Sequence, residues 1–165
     1  MTSPIPLKVF VLGSFRDVRP SRGRSLGVLQ RLVGFLRAEG WDAFLSGDAR
    51  SVELAGAPLE PRLMTEVLEA RCDLALFVGV KAGRGDGWVS ELTALQIQNP
   101  EGATKRVLLL EAGYPLSALL DPLQQGYLAD PPVIIGTWIG EHELRVLANR
   151  CAAHAARHGH LPPVL

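Results

Sequence analysis

The residues able to do chemistry gather around one stretch, 71–98, with the sequence RCDLALFVGVKAGRGDGWVSELTALQIQ. An apolar run over 74–80 reads as a buried parallel strand. The glycine-rich segment 81–87 follows, with Gly83, Gly85 and Gly87, and lets backbone approach a ligand closely. A helix then starts, its apolar side given by Trp88, Leu92, Leu95 and Ile97. Glu91 falls in the expected first turn of that helix, where the dipole favours an ionised carboxylate. A carboxylate poised there can act as a nucleophile or stabilise an oxocarbenium-like sugar cation. It can equally be an ordinary acidic residue at a helix start. Trp88 offers an apolar wall beside it, and Asp86 a second acid or a plain turn residue.

Four arginines, at positions 16, 19, 22 and 24, lie in and just beyond the loop that follows the first apolar run. Guanidinium groups match phosphate oxygens, so Arg16 and Arg19 are candidate phosphate ligands; a solvated basic loop is the alternative. Asp48, after the second apolar run, can contact a base or ribose hydroxyl, or cap a turn or helix. Asp73 opens the central strand, at the wrong end of a sheet for a site, and reads as structural. His154 and His158 have the i, i+4 spacing of a metal pair, but no acidic or thiol partner stands convincingly beside them, and no metal or cofactor is expected. Cys72 and Cys151 read as packing residues. No nucleophile elbow, Walker A loop or Rossmann glycine fingerprint is present.

These residues need a scaffold. The 165 residues suit one α/β domain, with 1–6 and 159–165 as tails. Hydrophobic residues make up 47% and charged residues 21%, so the chain can bury a core. Zero net charge argues against general nucleic-acid binding. Two cysteines, the lack of a signal-like start and the lack of a run of about 20 apolar residues point to a cytoplasmic protein that does not enter a membrane. Apolar stretches over 7–12, 41–45, 74–80, 106–110 and 132–136 read as strands. Helical patterns cover 25–39, with Gly40 as its cap, then 60–71, the segment after the glycine loop, 116–120 and 140–158. Residues 49–58 read as irregular, 99–103 as a turn and 121–130 as a loop.

Strand–helix alternation predicts a flavodoxin-like three-layer sandwich, a five-stranded parallel sheet of order 2-1-3-4-5. Its switch point lies between strands 1 and 3. The loops 13–24 and 80–91 are then expected to face one another across a ligand crevice.

Three short patches resemble nucleoside 2-deoxyribosyltransferases and related nucleotide N-glycosidases: Gly13-Ser14-Phe15 closing strand 1, Cys72-Asp73 opening strand 3, and Gly87-x-x-x-Glu91. Against the family pattern Asp-x-Gly-Thr-x-x-Glu, Gly85 stands at the aspartate, with Asp86 one place later, and Trp88 at the threonine. The segment 87–92 also resembles, one residue short, the Trp-Val-x-x-Glu-Leu type of segment in TIR domains, many of which cleave NAD. Both resemblances imply Glu91 at a ribosyl carbon. The first implies that Gly13, Ser14 and Phe15 line the sugar pocket and that Asp48 helps with the base.

The expectation is therefore cleavage or transfer of an N-glycosidic bond in a nucleoside, nucleotide or NAD. Glu91 is the catalytic residue, and Gly13, Ser14, Phe15, Arg16, Arg19, Asp48, Asp86, Gly87 and Trp88 contact substrate. The alternative is a nucleotide-sensing or protein-interaction domain that kept the fold without the chemistry. Apolar residues over 116–128 and in the last helix offer a surface for a homodimer.

Overall fold

The computed structural model describes residues 5–15, 23–83, 86–114 and 133–165. Five parallel strands form one sheet in the order β2-β1-β3-β4-β5: β1 Lys8–Gly13, β2 Asp42–Leu45, β3 Leu74–Gly79, β4 Arg106–Glu111 and β5 Ile134–Trp138. The register pairs Gly13 of β1 with Val78 of β3, and Gly79 with Leu110 of β4. This is the expected flavodoxin-like arrangement.

The strands are near-continuous apolar runs because both faces of the sheet are covered. Alternate side chains go to opposite layers. Val9, Val11, Leu74, Leu76 and Val78 meet helix α1, Arg24–Ala38, and the last helix, α5, Gly140–His158. Phe10, Leu12, Ala75 and Phe77 meet helices α3, Pro61–Arg71, and α4, Asp86–Gln98. Three layers result.

Helix ends follow their local chemistry. Gly40 adopts φ 97° after α1; its N–H bonds Arg37 O, and Trp41 N–H reaches back to Leu36 O, which closes a Schellman turn. Pro61 starts α3 at a position where no N–H is needed.

Three sequence expectations are corrected. Residues 49–58 are not irregular throughout: Ala49–Ala55 forms a short helix, α2, whose seven residues are too few to show an apolar period. A 3-10 turn, Pro100–Lys105, replaces the plain turn at 99–103. Ile97 does not share the apolar face of α4. Trp88, Leu92 and Leu95 repeat at i, i+4 and i+7 and are buried, whereas position 97 turns to the opposite side and is exposed. The helix expected at 116–120 and the loop at 121–130 lie outside the described residues. No helix among the described residues is long and apolar enough to cross a membrane.

Candidate functional site

The switch point between β1 and β3 brings two loops together. Gly13 ends β1 so close to β3 that a Cβ there would stand 2.6 Å from Val78 O and about as near the Leu29 side chain, at 3.0 Å. Its lack of a side chain is a packing requirement of the crevice floor. Ser14 follows, buried, and Phe15 beyond it is 44% exposed. From the β3 side, the chain turns through a Gly83 N–H···O Val80 bond of 2.8 Å. A Cβ on Gly83 would lie 2.9 Å from Ser14 Cβ and 2.8 Å from Ser25 Oγ. The loops after β1 and β3 therefore abut, as the topology requires.

A residue absent from the sequence reading ties these loops together. Glu111 ends β4, and its carboxylate accepts both Arg24 Nη atoms, at 2.8 and 3.1 Å, and the Lys81 backbone N–H at 2.6 Å. Burial pushes its pKa up, but the hydrogen bonds and positive charges of Arg24 and Lys81 outweigh that and hold it below the usual carboxylate range. Arg24, grouped in sequence with the phosphate-binding candidates, thus has a carboxylate partner. Arg16, Arg19 and Arg22, with Gly85, lie outside the described residues, as do the side chains of Asp86 and Gly87, whose backbone opens α4.

Glu91 sits in the second turn of α4, because the helix starts at Asp86 rather than near Trp88. The first-turn dipole argument for an ionised carboxylate therefore gives way to burial. The side chain faces α3 in a groove that also includes Arg62, Thr65 and Glu66. Thr65 Oγ1 donates to Glu91 Oε2 at 3.2 Å. Burial raises the Glu91 pKa, opposed by that hydrogen bond. Among the described residues no cation pairs with it in a salt bridge.

Trp88 packs inward and is only 4% exposed, against Phe77 and Tyr114 with ring centroids 6.5 and 6.0 Å away. Its indole N–H has no hydrogen-bond partner among the described residues. Asp48 is the N-cap of α2: one oxygen accepts from Ser51 N–H at 2.8 Å, the other from Leu45 N–H at 2.9 Å and Arg37 at 3.2 Å. The capping alternative for Asp48 describes these bonds.

Away from the crevice, Asp73 accepts the Lys8 backbone N–H at 2.8 Å, a structural link between β1 and the start of β3. Both cysteines are buried, their thiol pKa values pushed up to about 12 by desolvation. The rings of His154 and His158 lie 4.5 Å apart between centroids and tilted to one another by 46°, with His160 beside them. No group of three metal-binding side chains among the described residues could hold a metal ion.

The sequence matches no family model and no curated protein. Among solved structures the fold is similar to that of the CMP N-glycosidase BcmB of Clostridium botulinum. The two share 15% identity over 86% of this chain and 98% of that one, with a TM-score of 0.50. At that identity the likeness is one of fold.

Proposed function

We propose that the chain breaks the N-glycosidic bond of a nucleotide-type substrate, with Glu91 acting on the sugar's anomeric carbon. The observation that carries this reading is the Glu91 carboxylate itself: half-buried, raised in pKa by burial, and bonded among the described residues to a threonine hydroxyl rather than an ion pair. It stands on the helix that follows β3, the strand beside the switch point where ligands of such sheets bind. Burial disfavours its charge, and with no ion pair among the described residues the ionised form gains by meeting a developing cation. The fold likeness to an enzyme that acts on CMP supports the same reaction class.

As the bond breaks, the base leaves with the bonding electrons and positive charge grows at the anomeric carbon. Glu91 shields that charge or bonds to the carbon. Water then gives its hydroxyl to the sugar and its proton to the base; in a transferase a second base takes the place of water. Ser14 and Phe15 face the sugar at the end of β1, with Gly13 leaving room behind them. In this reading substrate approaches the backbone of Asp86 and Gly87 at the start of α4, with the inward-packed Trp88 ring behind it, and Arg16 and Arg19 hold phosphate; Asp48 would reach the base only by giving up bonds of the α2 cap. NAD remains within the same chemistry, and a homodimer is compatible with it.

The test is release of free base, followed by chromatography, from a panel of nucleoside monophosphates, deoxynucleoside monophosphates and NAD, with Glu91→Gln alongside. The reading expects release from one class of substrate and its loss in the variant. Turnover retained in the variant removes Glu91 from the mechanism. Saturable nucleotide binding without release favours a sensor.

A further inference from the structure

We propose that Glu111 is the positioning residue of the crevice, the carboxylate that fixes the start of α1 and the chain at Lys81, just after β3, in one arrangement. The inference builds on the crevice being the ligand site, the reading given above. Three observations carry it.

First, Glu111 joins both walls with one carboxylate: Arg24, the first residue of α1, binds it through two N–H groups, and the Lys81 N–H binds it from the β3 loop. A paired guanidinium–carboxylate contact fixes orientation as well as distance. Second, the N-cap residue of α1 is a glycine, which brings no side-chain cap of its own. Gly23 precedes the helix at φ 56°, with no acidic residue in the first turn. Arg24 places a cation at the positive end of the helix dipole, an unfavourable position that the Glu111 charge offsets. Glu111 thus supplies negative charge near the start of α1, through the Arg24 side chain rather than through a backbone N–H.

Third, the chain beyond Glu111 continues the brace. Ala112 N–H bonds Trp138 O at 2.8 Å, and Tyr114 N–H returns to Glu111 O at 2.9 Å through Gly113, at φ 79°. That turn sets the Tyr114 ring against Trp88, one helical turn before Glu91 on α4. Residues 111–114 thus touch the start of α1, the β3 loop and the helix that carries the candidate nucleophile. A shift of about 1 Å in such a frame can lower turnover about 100-fold with no loss of a reacting group.

The test uses Glu111→Gln, Arg24→Gln and the double variant in the full chain. Hydrogen exchange reads the frame directly: in each variant the hydrogen-bonded amides of Gly27, Lys81 and Gly83 should exchange at least about 10-fold faster, while those of β1, β3 and α5 keep the wild-type rate. Each single variant should lower kcat for base release about 10- to 100-fold per folded molecule. The double variant should lose no more than the worse single, since both remove one link. Arg24 is partly exposed, so its variant decides the matter if Glu111→Gln fails to fold. Unchanged local exchange overturns the proposal, as does faster exchange with kcat unchanged in an active enzyme. If wild type releases no base, the glycosidase reading fails, and exchange with nucleotide affinity still decides the positioning role: affinity must fall with the loosening.

Discussion

Replacing Arg106 by methionine should cost more stability than any single change at the crevice. Arg106 opens β4, an interior strand, at the amino ends of the strands and away from the candidate site, and it is fully buried. Its Nε donates to Glu69 Oε2 at 2.7 Å, and its Nη atoms reach Glu69 Oε1, Gln96 Oε1 and Asn99 O. Glu69 belongs to α3 and Gln96 to α4, so one guanidinium holds two helices to the sheet. Arg106→Met leaves the Glu69 carboxylate buried without a cation, a defect of about 3–5 kcal/mol. Against a typical total of roughly 5–15 kcal/mol, that is about a fifth of the fold's stability or more. At about 2–4 °C per kcal/mol for a chain of this size, Tm should fall by roughly 6–20 °C. In Glu69→Met/Arg106→Met the stranded charge is gone; the Gln96 acceptor is unmet in both variants, at about 1–3 kcal/mol, and Asn99 O keeps the Gly102 N–H in both, so the two differ by the orphaned carboxylate. Urea unfolding followed by circular dichroism should rank wild type above the double variant and the double above the single. A single variant within about 1 kcal/mol of wild type, or a double no better than the single, would refute the argument from the orphaned carboxylate.

Asp48→Ala removes the cap of α2 and the acceptor for Leu45 N–H; it should lower stability by about 0.5–2 kcal/mol in the same urea assay. Gly83→Ala forces a methyl group against Ser14 and Ser25; about 1–3 kcal/mol of destabilisation is expected, with weaker nucleotide binding by calorimetry. Glu91→Gln should separate stability from function. The folded state raises the Glu91 pKa, so its contribution is fully present below the ordinary glutamate value and is lost as pH rises through the raised one. The uncharged variant escapes that loss, and its Tm relative to wild type should be higher at pH 8 than at pH 4. A relative Tm that instead falls toward pH 8 contradicts the burial argument.

Sheet order and crevice position were legible because they rest on continuous apolar runs and on the chirality of crossovers. Residues 7–12 and 74–80 need no partner to be recognised as buried strands, and the loops after them must then meet. Gly40 was legible as a helix stop for a similarly local reason. What escaped depends on distant partners. Arg106 and Glu69 look like ordinary charges at an element's edge, 37 positions apart, and only packing shows that they share a dry pocket. Glu111 lies just past the apolar run 106–110, and nothing within its own segment marks its contacts, 87 and 30 positions away. Its place at the carboxyl end of a strand was the available signal. Helix α2 was missed because seven residues carry too little periodicity, although Asp48, three residues before Ser51, is a capping signature. Glu91 was singled out from its loop and helix, but the surroundings expected for it were wrong: two further residues at the start of α4 move it into the second turn, where burial replaces the dipole as the main influence.

The most direct measurement is base release at saturation from each member of the nucleotide panel, CMP and NAD included, by wild type and Glu91→Gln, each normalised to folded protein by its unfolding transition. Wild type should release measurable free base from one class of substrate, as the proposed mechanism predicts. The mechanism also predicts a fall of about 100- to 1,000-fold or more in the variant, with the fold intact and nucleotide still bound. Equal release by the two proteins would contradict the role given to Glu91, and no release by wild type from CMP or any other nucleotide of the panel would contradict the reaction itself.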